Sequence, residues 1–379
     1  MTTTERTTGP MAGRIAQSAF DGSRLRVILL LDLYDGAQER FLEAYEHMSS
    51  KVASIPGHIQ DQLCQSIENP SQWLITSEWE SALPFLAWVN SEEHIEIVRP
   101  MHSCVRDTRS MRYSVLRETE PCTGLKARSG LQAQVRVGDG VARHALTFTV
   151  KPGSESKVAE HLIGYSSPQV PLDGNTRLRR TSVFMHGNRV VRAVEVEGDL
   201  PAALRHVAAQ PEIRAVEEAM DPYLEQERDL SDPGSARVFF TRAALPSVHH
   251  VRADGPEPAG LRRHALYYPA VEGQGTELAR FLSHQDEAAA GDPDSPVFAS
   301  TVFQRDNIVV RMIDVTGDLG VDSEGALGIK GPGKAAELER LLDGAAVGVD
   351  APLNSERNLN RLLSHADMLS VTDSSAVDS

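Results

Sequence analysis

The feature of this chain that most limits its fold is an internal duplication. The string Arg143-His-Ala-Leu146 recurs as Arg263-His-Ala-Leu266, 120 residues later. Residues 181–192 (TSVFMHGNRVVR) are echoed by residues 300–311 (STVFQRDNIVVR), and Gly198-Asp-Leu200 is echoed by Gly317-Asp-Leu319. Because the order and spacing of these strings are preserved, the second half of the chain is predicted to contain two copies of one domain.

Each copy has the pattern of a ferredoxin-like domain, βαββαβ. In the first copy, residues 144–150 and 181–196 are rich in strand formers, and His186-Gly-Asn188 is typical of a tight hairpin turn. Residues 154–163, 201–209 and 212–220 favour helix, and residues 236–241 are predicted to form the closing strand. In the second copy, the glycine-rich residues 320–333 are predicted to form a mobile loop with little to pack.

The first segment shows the same order of elements without evident identity to the repeats. Strands are expected at residues 26–33, 58–67, 72–79 and 108–117, with helices between them. The sequence therefore predicts an α+β protein of tandem ferredoxin-like domains. The predicted parts are a disordered tail at 1–22, domains at 23–118, 142–250 and 262–372, linkers at 119–141 and 251–261, and a disordered tail at 373–379.

Composition excludes several classes of partner. The chain carries 38 basic and 53 acidic residues, a net charge of −15, which argues against a nucleic-acid-binding surface. The apolar run at residues 27–31 is far shorter than the ~20 residues that span a bilayer. Its three cysteines lack CxxC spacing, and the N-terminus lacks an apolar signal region, so we expect a cytoplasmic protein with neither disulfides nor a metal site.

Two strings of residues point to known families. The break Pro56-Gly57, the run Trp73–Ser81 and Ser91-Glu-Glu-His94 resemble the antibiotic biosynthesis monooxygenase family. Residues 143–250, with the string at 181–192, Gly198-Asp-Leu200, Glu217-Glu-Ala219 and Arg228–Pro233, resemble the SchA/CurD-like domain of actinomycete spore-pigment and aromatic polyketide clusters. The resemblance implies dimeric ferredoxin-like domains that oxidise polycyclic aromatic polyketides, anthrones or phenols to quinones, with O₂ and with neither metal nor flavin.

The resemblance also suggests a site in the first domain. It implies roles for an aromatic residue at the end of the second hairpin strand, Trp79, and for an arginine in the helix twenty residues later, Arg99. Positions where the family can carry Asn and Tyr hold Ile75 and Phe85. A cation such as Arg99 would stabilise a substrate anion, although it could instead close a surface ion pair with a nearby glutamate.

The chemistry further requires a base and a flat pocket. His94, His58 and His102 are the candidate bases, with His94 favoured. Strand alternation places Trp73, Ser77 and Trp79 on one face, where they could line a pocket or pack in the core. Phe85 and Trp88 in the next helix are further substrate-binding candidates, with core packing as their alternative.

The repeats offer a second set of polar residues. Asn188 and Arg192, with their counterparts Asn307 and Arg311, lie four residues apart and could line a second cavity. A turn asparagine followed by a solvated arginine is the favoured alternative. The Trp79 position holds Val196 in one repeat and Val315 in the other, which favours structural roles for both repeats.

Three functions fit these observations. The leading prediction is a monooxygenase with O₂ as co-substrate and no bound cofactor, with a diffusible reduced flavin left open. The second is an accessory or cyclase-like protein that binds and shapes the polyketide, and the third is haem degradation. Burial of bare sheet faces predicts that the two repeats pair within the chain and that the first domain forms a homodimer with a second copy.

Overall fold

The computed structural model describes residues 16–117, 138–163, 171–173, 176–331, 333–349 and 351–375. These residues divide into two compact units. One contains the described residues of 18–117, 142–246 and 371–375, and the other contains those of 16–17, 138–141 and 247–370. In these ranges, no helix has the length and apolar character needed to cross a membrane.

The first domain follows a short strand, β1 (Ala16–Ser18), and forms a sheet with helices on one face. Its elements are β2 (Leu25–Leu33), α1 (Gln38–Val52), β3 (His58–Gln65), β4 (Gln72–Trp79), α2 (Ala82–Val89), α3 (Glu92–His102) and β5 (Val105–Ser114). The strand order is β3-β4-β2-β5 and every neighbouring pair is antiparallel. This is the predicted ferredoxin-like arrangement.

Alternation along the strands decides which side of this sheet meets the helices. Leu25, Val27 and Leu31 on β2 are buried and belong to the apolar clusters that pack against α1, α2 and α3. Leu30, on the opposite side of β2, remains 41% exposed. Helix α3 begins where the Ser91 side chain accepts a hydrogen bond from the backbone N–H of His94.

The second domain has the same topology in the same unit. Its elements are β6 (Val141–Thr149), α4 (Glu155–Ile163), β7 (Pro171–Asp173), β8 (Thr176–His186), β9 (Arg189–Glu197), α5 (Leu200–Ala209), α6 (Pro211–Met220), α7 (Pro233–Ala243) and β10 (Ala244–Arg252). The first three residues of β10 pair with β6, and the sheet continues through β9 to β8.

The third domain forms most of the other unit. Its elements are β11 (Arg262–Pro269), α8 (Gly275–Ala289), β12 (Val297–Arg305), β13 (Ile308–Val315), α9 (Ser323–Leu327), α10 (Lys334–Leu341), α11 (Glu356–Ala366) and β14 (Leu369–Ser375). Residues 247–252 of β10 pair with β12, whereas β14 lies beside β8. Strand β10 thus pairs with β6 over its first residues and with β12 over residues 247–252. The predicted burial of one repeat's sheet face against the other's stays a prediction.

Two element predictions are wrong. Residues 236–241 lie in helix α7, because Asp232 caps the backbone N–H groups of Gly234 and Ser235 and Pro233 occupies the first turn. The glycine-rich stretch contains α9, in which Leu327 is fully buried, so it packs into the domain. Helix α9 ends at Gly328, whose φ of 72° is the left-handed conformation that glycine adopts readily.

The predicted tails are shorter than expected where the structure describes them. Residues 16–18 form β1, and residues 373–375 belong to β14. Asp373 accepts hydrogen bonds from Arg180 Nε at 2.9 Å and Ser182 Oγ at 2.8 Å, which fixes this end of β14. Residues 1–15 and 376–379, and residues 118–137 of the predicted linker, lie outside the described residues.

Candidate functional site

A cavity of about 940 Å³ lies between the sheet and the helices of the first domain. Most of its wall is apolar because it is the inner face of the sheet and the facing sides of α1, α2 and α3. The apolar wall includes Val27, Leu29, Ile75, Trp79, Phe85 and Trp88. A space of this size, with large aromatic rings in its wall, suits a flat fused-ring molecule.

Strand β5 brings polar groups to one side of the cavity. In its antiparallel pairing with β2, Ser110 lies opposite Leu29, and Arg112 lies opposite Val27. Directly opposed residues share one face of a sheet, so these β5 side chains project inward with the apolar residues of β2. Ser110, Arg112 and Thr108 all line the cavity.

Arg112 is the cation of this cavity. Its guanidinium carbon lies 5.2 Å from the centroid of the Phe85 ring, a cation–π contact. No carboxylate among the described residues forms an ion pair with it. Partial desolvation by surrounding protein atoms lowers the pKa of Arg112, while the residue remains exposed along a cavity that is open to solvent. An arginine still retains its charge there.

Three histidines line the same cavity, and burial keeps all three uncharged near neutral pH. Burial lowers the pKa of His94 to about 4, with a smaller effect from His102. Burial likewise lowers the pKa of His102 to about 4, helped by the charge of Arg237. The pKa of His144 falls to about 4 through burial and, secondarily, through the charge of Arg112.

The second domain contributes part of the wall. Ala142 and His144 come from the beginning of β6, and residues 198–201 come from the turn that leads into α5. Asp199 caps α5 by accepting a hydrogen bond from the backbone N–H of Ala202. Two of the strings that the sequence repeats, residues 143–146 and 198–200, therefore meet at this cavity.

Six of the predicted site residues line the cavity: Ser77, Trp79, Phe85, Trp88, His94 and His102. The Trp79 indole N–H donates a hydrogen bond to Ser77 Oγ at 2.6 Å. The Trp79 ring meets the Phe85 ring edge to face, with centroids 5.6 Å apart. These contacts hold the aromatic wall rigidly.

Three other predicted residues lie elsewhere. Arg99 is on the outer side of α3, 57% exposed, and pairs with Glu96 at 2.5 Å. Arg99 does not line the cavity of the first sheet and instead lies at a separate depression with Glu92 and Arg242, so its predicted role in stabilising a substrate anion stays a prediction. Trp73 packs in the core against Phe41, with centroids 5.5 Å apart. His58 lies outside the cavity lining, with Nε2 3.1 Å from Asp61 Oδ1 and its ring against Trp79.

The polar residues of the repeats form structural contacts. Arg192 is buried and pairs with Glu217, while Arg311 is fully buried and pairs with Asp286 at 2.7 Å. The expectation that these arginines are solvated is wrong. Asn188 Nδ2 donates to the Val150 carbonyl at 3.1 Å, and Asn307 Oδ1 accepts from the Gly273 N–H at 3.0 Å. Both asparagines fix the ends of hairpin turns, and none of the four residues lines the cavity.

Sequence reasoning missed two residues of the cavity, Arg112 and His144. Alternation along the closing strand places Thr108, Ser110 and Arg112 on one face, but a row of polar residues alone does not distinguish a cavity wall from a solvated face. His144 stands within a duplicated string, but nothing in the sequence places that string beside the first domain. Among the described residues, no group of three or more His, Cys, Asp or Glu side chains is arranged to hold a metal ion.

Two family models match parts of this chain. Residues 24–100 match the family described as antibiotic biosynthesis monooxygenase, and residues 141–253 match the SchA/CurD-like domain. Among solved structures, SnoaB, a cofactor-independent oxygenase from Streptomyces nogalater, is 12% identical, covers 26% of this chain and 98% of its own, and has a TM-score of 0.24.

Similarity to curated proteins extends over nearly the whole chain. Polyketide synthase CurD of Streptomyces cyaneus is 68% identical over 94% of this chain and 96% of its own length. The 42.8 kDa protein in the whiE locus of Streptomyces coelicolor is 59% identical over 96% of this chain and 90% of its own. Protein SchA of Streptomyces halstedii is 58% identical, with 95% of each chain covered. The chain therefore belongs to the family of CurD and SchA, and it carries an antibiotic biosynthesis monooxygenase domain followed by a SchA/CurD-like domain.

Proposed function

We propose that this protein is a monooxygenase that oxidises an aromatic polyketide, such as an anthrone or a phenol, to a quinone with O₂. The observation that carries the proposal is Arg112, a cation without a carboxylate partner among the described residues, facing an apolar cavity that also contains uncharged histidines. The match of residues 24–100 to a monooxygenase family supports the same reaction class.

The first step would be removal of a proton from the bound substrate. An anthrone has an acidic CH₂ group across the central ring from its carbonyl and conjugated with it through the aromatic rings, and the anion that remains is an electron-rich aromatic phenolate. A neutral histidine accepts the proton, and Arg112 stabilises the negative oxygen. In an apolar cavity such a charge–charge interaction is much stronger than in water.

The anion then supplies the electrons that reduce O₂. It transfers one electron to O₂, and the resulting carbon radical and superoxide combine to form a peroxide. Loss of water from the peroxide leaves the new carbonyl, so an anthrone and one O₂ give an anthraquinone and one H₂O. Both oxygen atoms and all four electrons are accounted for, and this sequence needs no external reductant. The aromatic wall of Trp79, Phe85 and Trp88 would hold the rings in place.

The test is incubation of the full-length protein with dihydroxyanthrone under ¹⁸O₂, with and without added reduced flavin. One ¹⁸O atom in the quinone carbonyl and independence from flavin are the expected results. The alternative function, an accessory or cyclase-like role, predicts product formation without O₂. Turnover in the anaerobic sample, or no O₂ consumption across a panel of anthrones and naphthacenones, would contradict the oxygenase.

Arg112→Gln is the variant that tests the anion-stabilising cation. Loss of a hydrogen-bond donor that stabilises a developing anion raises the activation free energy by about 3–4 kcal/mol, so we expect kcat/KM to fall by roughly 10² to 10³-fold. Because Arg112 is a desolvated cation without an ion pair among the described residues, the melting temperature should stay the same or rise. Arg99→Gln is the matched control on the outer side of α3, and it should change kcat/KM by less than about twofold.

We also propose that the protein is a homodimer through its first domain. The sheet side of that domain opposite its helices carries Ile28, Leu30 and Leu74, and Leu30 is 41% exposed. Helices α1, α2 and α3 pack on the other side of the sheet, where they also enclose part of the cavity. A second copy would remove these apolar side chains from water.

A further inference from the structure

His144 belongs to the second domain but lines the cavity of the first. It lies on β6, opposite Pro246 of β10, in the duplicated string of residues 143–146. Among the described residues, none forms a hydrogen bond with its ring nitrogens, so no described side chain fixes the ring in a structural role.

Polar groups from both domains line the cavity together with His144. Ser110 and Arg112 come from β5, and Asp199 lies at the beginning of α5. Aromatic and aliphatic side chains from β2, β4 and α2 form the apolar part of the wall. A flat substrate with one acidic edge would therefore place its rings against Trp79 and Phe85 and its oxygen atoms at the β5 side.

We propose that His144 is the general base that removes the proton from the substrate, so that the two domains build one active site. The inference rests on the oxygenase function proposed above and extends it by assigning the base. The proton moves from the substrate carbon or oxygen to a ring nitrogen of His144, and the negative charge that remains on the substrate oxygen is held by Arg112.

Two observations favour His144 over the other cavity histidines. The His94 ring lies against Trp88, with centroids 5.2 Å apart, and its Nδ1 is buried without a partner, which leaves one nitrogen at most for substrate. Besides burial, the charge of Arg237 on α7 lowers the pKa of His102, whereas the charge of Arg112 lowers the pKa of His144. A base next to Arg112 lets proton removal and charge stabilisation occur at the same edge of the substrate. The charge of Arg112 also keeps His144 unprotonated before the substrate binds.

The duplication provides a matched control. His264 occupies the same place in the third domain's copy of the string, 120 residues later. Its Nδ1 lies 3.2 Å from the carboxylate of Asp367, so it has the structural partner that His144 lacks. His264→Gln therefore changes the same residue type in the same local motif, away from the cavity.

The experiment compares His144→Gln, His264→Gln and the full-length wild-type protein with dihydroxyanthrone as the probe. Anaerobic mixing measures formation of the substrate anion by its long-wavelength absorption band, and quenching of tryptophan fluorescence measures binding. O₂ consumption is then recorded separately. His144→Gln should still bind the probe, lose the anion band and lower the oxidation rate by roughly 10² to 10⁴. His264→Gln should retain the band and at least half of the rate.

A second variant protects the test against a folding defect. In His144→Ala, added imidazole should restore the anion band, because the small base can enter the space that the side chain vacates. If His144→Gln forms the anion at the wild-type rate, or if His94→Gln or His102→Gln abolishes the band instead, the assignment of the base is wrong. If the wild-type protein forms the anion through His144 but consumes no O₂, the proposed oxygenase function is wrong and the assignment of His144 as the base stands.

If the wild-type protein oxidises the probe without forming the anion, the assignment of His144 is wrong and the oxygenase function stands.

Discussion

The protonation state of the cavity histidines sets the acid limit of the proposed reaction. The pKa of His144 is about 4 rather than the ordinary 6.5, so the base remains available well below neutral pH. The pH profile of kcat/KM reports groups of the free enzyme. We therefore expect its acid limb near pH 4 to 5, measured by initial rates of O₂ consumption. A limb at pH 6.5 would show that the base is a solvent-exposed histidine.

The same three groups should make folding sensitive to acid. In the unfolded chain His94, His102 and His144 titrate near 6.5, whereas in the folded protein their pKa is about 4. The unfolded state therefore binds more protons between these values, and the free energy of unfolding falls as the pH decreases from 6.5 towards 4. Thermal melts across this range measure the decline. Replacing all three with Gln should flatten it, and an unchanged decline would assign acid sensitivity to other groups.

At the scale of elements, the sequence predicted the order of most strands and helices, but it did not predict the type of every element correctly. The strands within 26–33 and 181–196 were predicted from runs of apolar and β-branched residues, which favour extended chain, and from the Gly-Asn turn between the latter two. Residues 236–241 were misassigned because their apolar residues suit either a strand or a helix, and the cap at Asp232 decides between them. The site was only half predictable. Trp79 and His94 follow from local patterns, whereas the contribution of His144 depends on the packing of two domains.

The buried arginines of the two repeats should differ in their contribution to stability. Asp286 is fully buried and is neutralised by Arg311, and among the described residues the Ser300 hydroxyl is its one further side-chain hydrogen-bond partner. Burial raises the pKa of Glu217, but the charges of Arg192 and Arg228 outweigh that effect and leave it below its ordinary value. Arg228 lies 2.9 Å from Glu217, so this carboxylate keeps a partner when Arg192 is removed.

We expect Arg311→Met to destabilise its domain by about 3–5 kcal/mol, because an uncompensated carboxylate remains buried. Arg192→Met should cost less, since Arg228 still neutralises Glu217. Calorimetry of the full chain measures both changes as shifts of the unfolding transitions. Equal shifts would show that Arg228 contributes little to neutralising Glu217. If either variant instead lost oxidation activity with unchanged stability, that arginine would have a catalytic role.

At the scale of the whole molecule, the three ferredoxin-like domains are not equivalent. In the second and third domains β10 pairs over its first residues with β6 and over residues 247–252 with β12. The four strands of the first domain form a separate sheet, which ends at β3 and β5. The side of that sheet opposite the helices carries Leu30, which is 41% exposed.

The exposed side of the first sheet should therefore mediate dimerisation. The chain has a mass of 41.3 kDa, and sedimentation equilibrium at micromolar concentration should give twice that value. Leu30→Arg places a charge in the centre of this face, and because each dimer contains two such sites we expect the dissociation constant to rise by more than about 100-fold. Val321→Arg, at an apolar side chain of the third domain that is 85% exposed, is the matched control and should leave the dimer intact. Dissociation by Val321→Arg and not by Leu30→Arg would place the interface on the third domain, and a wild-type mass of one chain would refute the dimer.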